Sequence, residues 1–258
     1  MQIAVISDIH SNPDALKQAL KEIHEIGCSE IICCGDIVGY GYDPNQCIDI
    51  CREEKIGCVK GNHDAALCGE LSTRWFSATA ARQIQEQLKV VSEENKKWLS
   101  ELPYTITSEI AGKVIAYSHG TFSYPDNWDY ITDYFSATCE LDYLDRHGID
   151  MLFVGHTHEP ILWASTGIDL GMGASSMSVG TESNRLQRLE YEMVGGIYNV
   201  GSLGYPRHRE ECYYAVIDTD SRKVCWKQIE FNVLEYSKKM EEKGMKIPTW
   251  VQWRIEAL

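Results

Sequence analysis

Positive charge is scarce in this chain: 24 Lys and Arg stand against 38 Asp and Glu, and the formal net charge of −14 makes the surface repel nucleic-acid phosphates rather than collect them. A long DNA or RNA partner is therefore not expected. A small phosphate ester stays open, because bound cations can be the largest local charges in a site and reverse its sign. Long apolar runs are missing as well. None approaches the roughly 20 residues that a membrane helix needs, and Met1-Gln2 leads straight into the strand-like Ile3-Ala4-Val5-Ile6 without a signal-peptide pattern. The expected location is cytoplasmic, away from membranes. Repeats, low-complexity tracts and obvious linkers are absent, and the ten cysteines include no CxxC pair. Most of them sit inside apolar patterns, which makes them reduced core residues rather than a disulfide framework or a thiolate zinc site.

What is present is an ordinary globular composition, 44% apolar and 24% charged over 258 residues, enough for one domain spanning 1–258. Strands and helices alternate. Strand Ile3–Ser7 leads through Asn12-Pro13, a cap and first-turn pair, into a helix whose Ala15, Leu16, Ala19, Leu20 and Ile23 recur at helical spacing. Strand Glu30–Cys34, a helix over Gln46–Glu54 and strand Ile56–Lys60 continue the βα pattern, for which parallel pairing is expected. Helices over Arg74–Val91 and Glu93–Leu99 end before Pro103, and a hairpin turns at Ala111-Gly112. A helix over Cys139–Arg146 precedes strand Met151–Val154. The remainder is mostly strand-like, with Ile161–Ala164, Gly196–Val200, Tyr213–Asp218 and Val224–Phe231, and a helix-like tail from Gly244. Residues 165–193, rich in Gly, Ser and Met, read as an inserted loop or hairpin. The fold class is α/β, with two packed mixed β-sheets and outer helices.

The chemistry lies where the strands end. Five apolar, β-branched runs close in Asp8-Ile9-His10, Gly35-Asp36, Gly61-Asn62-His63-Asp64, Ser118-His119-Gly120 and Gly155-His156-Thr157-His158. Strand ends lie at a sheet's edge, so these blocks are expected to bring oxygen and imidazole ligands together along one rim of a sheet. Such a mixture suits hard-to-borderline divalent cations, and the set reads as a two-metal site. Taken singly, each block also reads as a turn, a cap or a hydrogen-bonded core histidine. Their order and number favour the metal site. His24, His147 and His208 fall outside every block; His24 and His147 sit in expected helical segments and read as structural or solvated.

In these blocks the chain resembles the calcineurin-like metallophosphoesterase family, whose hallmark is D-x-H, G-D, G-N-H-D/E, a later His and G-H-x-H, in that order. Gly39-Tyr40-Gly41-Tyr42-Asp43-Pro44, Asn199-Val200-Gly201-Ser202 and the C-terminal tail are similar to the smaller bacterial and archaeal branch, with Val200 where proline is usual. The resemblance implies a four-layer α/β/β/α sandwich with a dinuclear site at the strand C-terminal ends. It implies Asp8, His10 and His158 on one metal, Asn62, His119 and His156 on the other, and Asp36 bridging. It further implies a bridging hydroxide as nucleophile and His63 as general acid. The ions expected are two divalent cations from Mn, Fe, Zn, Co or Ni.

The substrate implied is a small phosphate ester, with phosphodiesters or nucleotide-type esters ahead of monoesters. Arg207 and Arg209 are candidates for a phosphate, against a reading as solvated surface arginines. Tyr40, with Tyr42, Trp128 and Tyr205, is a candidate for stacking, against a reading as core cover. The acidic 126–133 segment is expected to overhang the cleft. A protein phosphatase fits less well, because that branch carries Asp-Arg-Gly after the second block and Glu after Asn-His, where this chain has Gly39-Tyr40-Gly41 and Asp64. A nuclease is opposed by the net charge. A catalytically silent scaffold of the same fold is the reading from another class, and intact His63 and ligand positions oppose it. The sequence leaves the oligomeric state open.

Overall fold

The computed structural model describes residues 1–165, 174–178, 190–207 and 211–257; at 165 and 174–178 only the backbone is described. Strand β1 (Gln2–Ile6) opens the chain, and helix α1 (Pro13–Ile26) follows it. The Asn12 side chain accepts the Ala15 N–H, Pro13 occupies the first turn, and Gly27 closes the helix in the left-handed conformation at φ 83°. Strand β2 (Glu30–Cys33) leads to α2 (Pro44–Glu53), which is capped the same way by Asp43 with Pro44 behind it. Strand β3 is only Gly57–Cys58, shorter than the expected Ile56–Lys60. Beyond it the backbone leaves the ladder, and the Lys60 N–H donates to the Pro103 carbonyl instead.

Helix α3 (Asn62–Leu67) begins inside the third block itself. The helix expected over 74–91 is broken. A single 3₁₀ turn covers Thr73–Trp75, Phe76 is extended, and Ser77 caps a shorter α4 (Ala78–Gln87) by accepting the Ala80 N–H. Helix α5 (Glu93–Ser100) follows, then β4 (Thr105–Ile110) and β5 (Lys113–Ser118), joined by Ala111 at φ 52° and Gly112 at φ 74°, the paired positive values of a tight hairpin turn. Helix α6 (Tyr134–Arg146), β6 (Met151–Val154), β7 (Ile161–Ser165), β8 (Ala174–Ser178), β9 (Glu190–Glu192), β10 (Gly196–Asn199), β11 (Cys212–Asp218) and β12 (Lys223–Ile229) complete the sheets. Helix α7 (Val233–Glu242), absent from the sequence reading, and α8 (Thr249–Glu256) end the described chain. Of the segment 165–193, residues 166–173 and 179–189 lie outside the described residues, while β8 pairs with β7 and β9 with β12.

The strands form two mixed sheets, ordered β3-β2-β1-β11-β12-β9 and β4-β5-β6-β10-β7-β8. Alternation along each strand serves two cores. From β1, Ile3 and Val5 face the other sheet, together with Ile115, Tyr117, Phe153, Tyr198 and Trp226, whereas Ala4 and Ile6 face α1 and α2 through Leu16, Ile23, Cys47 and Ile48. Leu152, Val154 and Ile197 turn outward against Ala137 and Leu144 of α6. Helices, sheet, sheet, helix is therefore the layer order. Helices α7 and α8 make a satellite core around Tyr236 and Trp250.

Two sheets, not one, carry the five blocks. Parallel β1, β2 and β3 deliver the first three, and parallel β5 and β6 of the second sheet deliver the other two. The expectation of a single rim is corrected because the apolar faces of both sheets must bury each other, which lays their carboxyl edges side by side.

Candidate metal centre

Backbone strain marks the site before any side chain is considered. Of eleven described non-glycine residues with positive φ, eight are Asp8, His10, Ser11, Asp36, Tyr40, Trp128, His156 and His158. Each such residue costs free energy, about 1–3 kcal/mol, and persists where its surroundings over-determine it, a concentration typical of functional sites. Glycines make the close approach possible. A Cβ on Gly61 would sit 2.1 Å from Asp36 Oδ1, and one on Gly155 would sit 1.9 Å from Ser7 Oγ.

The seven expected ligand positions and His63 converge. His10 Nε2 lies 3.1 Å from His158 Nε2, 3.6 Å from Asp8 Oδ1 and 3.7 Å from Asp36 Oδ2. His119 Nε2 lies 3.1 Å from Asn62 Oδ1 and 3.3 Å from Asp36 Oδ2. Three sets of potential ligand atoms, each within 4.8 Å of one another, result: Asp8, His10 and His158; Asp36, His119 and His156; and His10, Asp36 and His63. Asp36 belongs to the second and third of these and not to the first, but its Oδ2 lies 3.7 Å from His10 Nε2 of the first, so one carboxylate reaches both clusters. The third set brings His63 within reach of the same carboxylate, its Nε2 4.0 Å from Asp36 Oδ2.

Backbone carbonyls orient these rings. Nδ1 of His10 faces the Val38 carbonyl at 2.9 Å, Nδ1 of His119 faces that of Cys34 at 2.7 Å, and Nδ1 of His158 faces that of Tyr205. A proton held at Nδ1 of His10 and of His158 leaves their Nε2 lone pairs pointing inward. Lone pairs of His10 and His158 then face each other, and Asp8 Oδ1 and His156 Nε2 are buried without a hydrogen-bond partner among the described residues. Facing acceptors are repulsive unless a proton or a cation lies between them, so the donor set fits divalent ions.

The titration of these groups follows from the crowding. Burial opposes ionisation of Asp36, yet the surrounding His119 and His63 hold its carboxyl far below the ordinary range. Burial likewise acts against Asp8, and His158 and His10 outweigh it. Although burial disfavours its charge, His119 is raised to about 9 by Asp36. Burial pushes His63 down to about 3 and His158 to about 4, despite the neighbouring Asp36 and Asp8 respectively. His156 is also lowered, by burial and by His119.

Several supports escaped the sequence reading. Asp64 accepts from the backbone N–H groups of Asp36, Ile37, Val38 and Gly61, tying the second block to the third. Buried Gln87 of α4 accepts from the Gly39 N–H and donates to Ser11 Oγ and the Gly41 carbonyl. Asn199 donates to the Gly155 carbonyl and Thr157 Oγ1, and Ser202 Oγ donates to the Asp8 carbonyl. A polar residue at a strand end carries no mark that distinguishes ligand from brace; Gln87, within an ordinary helical pattern, carries no signal at all.

A cavity of about 450 Å³ opens beside Asn62, His63 and His156. Tyr40, Arg207, Trp128 and Asn127 line it, so the 126–133 segment does overhang the cleft. Tyr130 of that segment stacks on His156 at 3.8 Å, with the Arg207 guanidinium 6.0 Å from its ring. Two of the stacking candidates lie elsewhere. Tyr42 donates to Asp14 Oδ2 and packs against Tyr236, and Tyr205 is stacked on Tyr40 at 4.0 Å rather than facing the opening. Both are drawn into the satellite core of α7 and α8, elements that the sequence reading did not place there. Arg209 and His208 lie outside the described residues. His24 pairs with Glu54 and His147 stacks on Tyr143, far from the centre in role. A larger cavity, about 700 Å³, lies between α2, α4 and residues 243–246 and touches no side chain of the metal centre.

Known proteins share this frame. Residues 1–222 match the calcineurin-like phosphoesterase superfamily domain. An uncharacterized protein of Methanocaldococcus jannaschii is 34% identical over 259 aligned residues, covering 98% of this chain and 96% of the relative. A crystal structure of a metallophosphoesterase from Sphaerobacter thermophilus superposes with a TM-score of 0.77 at 26% identity, covering 98% of this chain and 97% of that one. A hypothetical protein from Pyrococcus horikoshii shares the fold, with a TM-score of 0.73 at 18% identity over 97% of this chain and 95% of its own. With that match over most of its length and a buried His/Asp centre at the expected strand ends, the chain belongs to the calcineurin-like phosphoesterase superfamily.

Proposed function

We propose that the protein is a metal-dependent hydrolase of small phosphate esters, with phosphodiesters or nucleotide-type esters preferred over monoesters. The observation that carries this reading is a pair of buried ligand clusters spanned by Asp36, one with the facing Nε2 atoms of His10 and His158 and the other with the His156 Nε2 that has no hydrogen-bond partner among the described residues, a set that suits two cations. Asp8, His10 and His158 would hold one ion, Asn62, His119 and His156 the other, and Asp36 both. Manganese, iron, zinc, cobalt and nickel all suit such ligands. When bound, the ions supply an activated water and neutralise charge on the phosphoryl oxygens.

The chain's own groups do the rest. Buried His63, with Nε2 near Asp36 and no partner on Nδ1 among the described residues, stands at the cavity wall; burial holds it neutral in the empty site, so it would take up a proton beside a bound phosphate anion before giving it to a leaving alcohol. Arg207 at the same cavity supplies a fork of donors for a non-bridging oxygen. The net charge of −14 favours a small ester over a long nucleic acid, and buried free thiols agree with a reducing, cytoplasmic setting.

Metal-stripped protein titrated with Mn²⁺ and assayed on bis-p-nitrophenyl phosphate beside p-nitrophenyl phosphate tests the proposal. Mn²⁺-dependent hydrolysis with the diester in excess is expected. Preference for the monoester would make it a phosphatase, and metal uptake without turnover of either ester would favour the scaffold.

A further inference from the structure

The cavity beside the metal centre has an aromatic wall that the ligand clusters do not use. Trp75 is 82% exposed, the highest value among the described large apolar side chains, and it sits on the single 3₁₀ turn at the cavity's edge. A single exposed tryptophan is ordinary, but Trp75 shares the lining of one cavity with Phe76, Trp128 and Tyr130, and a contiguous aromatic lining beside a polar site marks recognition. Phe76 follows it and lies against the His63 ring, centroids 4.9 Å apart. Trp128 also lines the cavity, held at φ 53° against Gly120 with its indole N–H donating to the Lys60 carbonyl at 3.4 Å. Trp128 is only 7% exposed, so burial and that bond together hold its indole in place at the cavity wall.

We propose that Trp75, Phe76 and Trp128 form a slot for a flat aromatic ring on the alcohol that leaves from the phosphoryl group, which makes aryl or nucleoside esters the substrate class. This rests on the hydrolase reading above. The contact of Phe76 with His63 sets the slot on the side of the proton donor, hence on the leaving-group side. Arg207, lining the same cavity, stands ready for the phosphate. Stacking tolerates any planar ring, so the slot selects aromaticity before identity.

The test is calorimetric titration of the Mn²⁺-loaded protein with phenylphosphonate and methylphosphonate, which share the metal-seeking anion and differ in the ring. Phenylphosphonate should bind about tenfold more tightly. That ratio should fall toward one in Trp75→Ala and be kept in Trp75→Phe; because the Trp75 side chain is exposed, neither change threatens folding. Equal binding of the two ligands to the unaltered protein would overturn the slot alone, as would a full preference persisting in Trp75→Ala. Failure of both phosphonates to bind would overturn the hydrolase reading, and the slot with it. A nucleoside 5′-monophosphate in the same titration separates the two sources of a ring: tighter binding than phenylphosphonate assigns nucleosides, and weaker binding assigns smaller aryl alcohols.

Discussion

At the scale of single residues, the centre assigns different work to similar side chains. His63 and His119 are both buried beside Asp36, yet His119 has its Nδ1 on a carbonyl and its Nε2 3.3 Å from the carboxylate, whereas His63 stands 4.0 Å away with no partner on Nδ1 among the described residues. Replacing His63 by Ala should therefore leave metal content unchanged and lower turnover about 100-fold or more on esters of poor leaving groups such as alkyl alcohols, with a much smaller loss on p-nitrophenyl esters. A comparison of kcat/KM across leaving groups, with metal analysis on the same samples, checks this; equal losses would remove the proton-donor role, and loss of metal would make His63 a ligand. Asp36→Asn keeps an acceptor for the His63 backbone N–H, which donates to Asp36 Oδ1 at 2.8 Å, so the fold should survive. The missing charge should weaken metal binding about 100-fold or more, since removing even an outer partner of a ligand costs about 10–100-fold. Metal retained after dialysis and turnover should fall together.

Elements set how precisely those residues are presented. Capping was readable: Asn12-Pro13 starts α1 as expected, because cap chemistry is local. Breaks were harder to see. The 3₁₀ turn and the extended Phe76 interrupt a stretch whose apolar spacing suits one long helix; Ser77 restarts the helix as a cap, and Phe76 lies against the His63 ring, a tertiary contact that apolar spacing does not show. The β4–β5 hairpin gives an element-level test. Ala111 adopts φ 52°, where a Cβ is unfavourable and Asn is tolerated, and Gly112 follows it. Ala111→Asn should stabilise the protein by about 0.5–1 kcal/mol. Thermal denaturation should show a rise of roughly 2 °C for a chain of this size.

The whole molecule couples charge to metal. With Asp36 holding His119 at about 9, metal-free protein carries a proton there at neutral pH, and a cation must displace it. Apparent affinity through this group should rise about tenfold per unit as pH climbs toward 9 and level off above it. His63 at about 3 and His158 at about 4 are already neutral and add no dependence in that range. Calorimetry in buffers of different ionisation heat should detect close to one proton released per chain near pH 7 from this source. The sign for stability is opposite: His119 is raised from its ordinary 6.5, so its contribution to the metal-free fold is complete below that value and lost as pH passes 9.

The sequence by itself determined the chemistry: which strand ends carry Asp, Asn and His, in what order, and that strands and helices alternate into layers. These are local properties, written in a period of two, a cap or a strand's last residue. Only the tertiary structure decided that two sheets share the site and that His10 and His158 face each other with no donor between them. It also decided that Tyr42 leaves for the C-terminal core while Trp75, Phe76 and Tyr130 enter the cavity wall. Each of those outcomes depends on which apolar faces find one another across long stretches of chain, a balance of burial and packing that no single segment encodes.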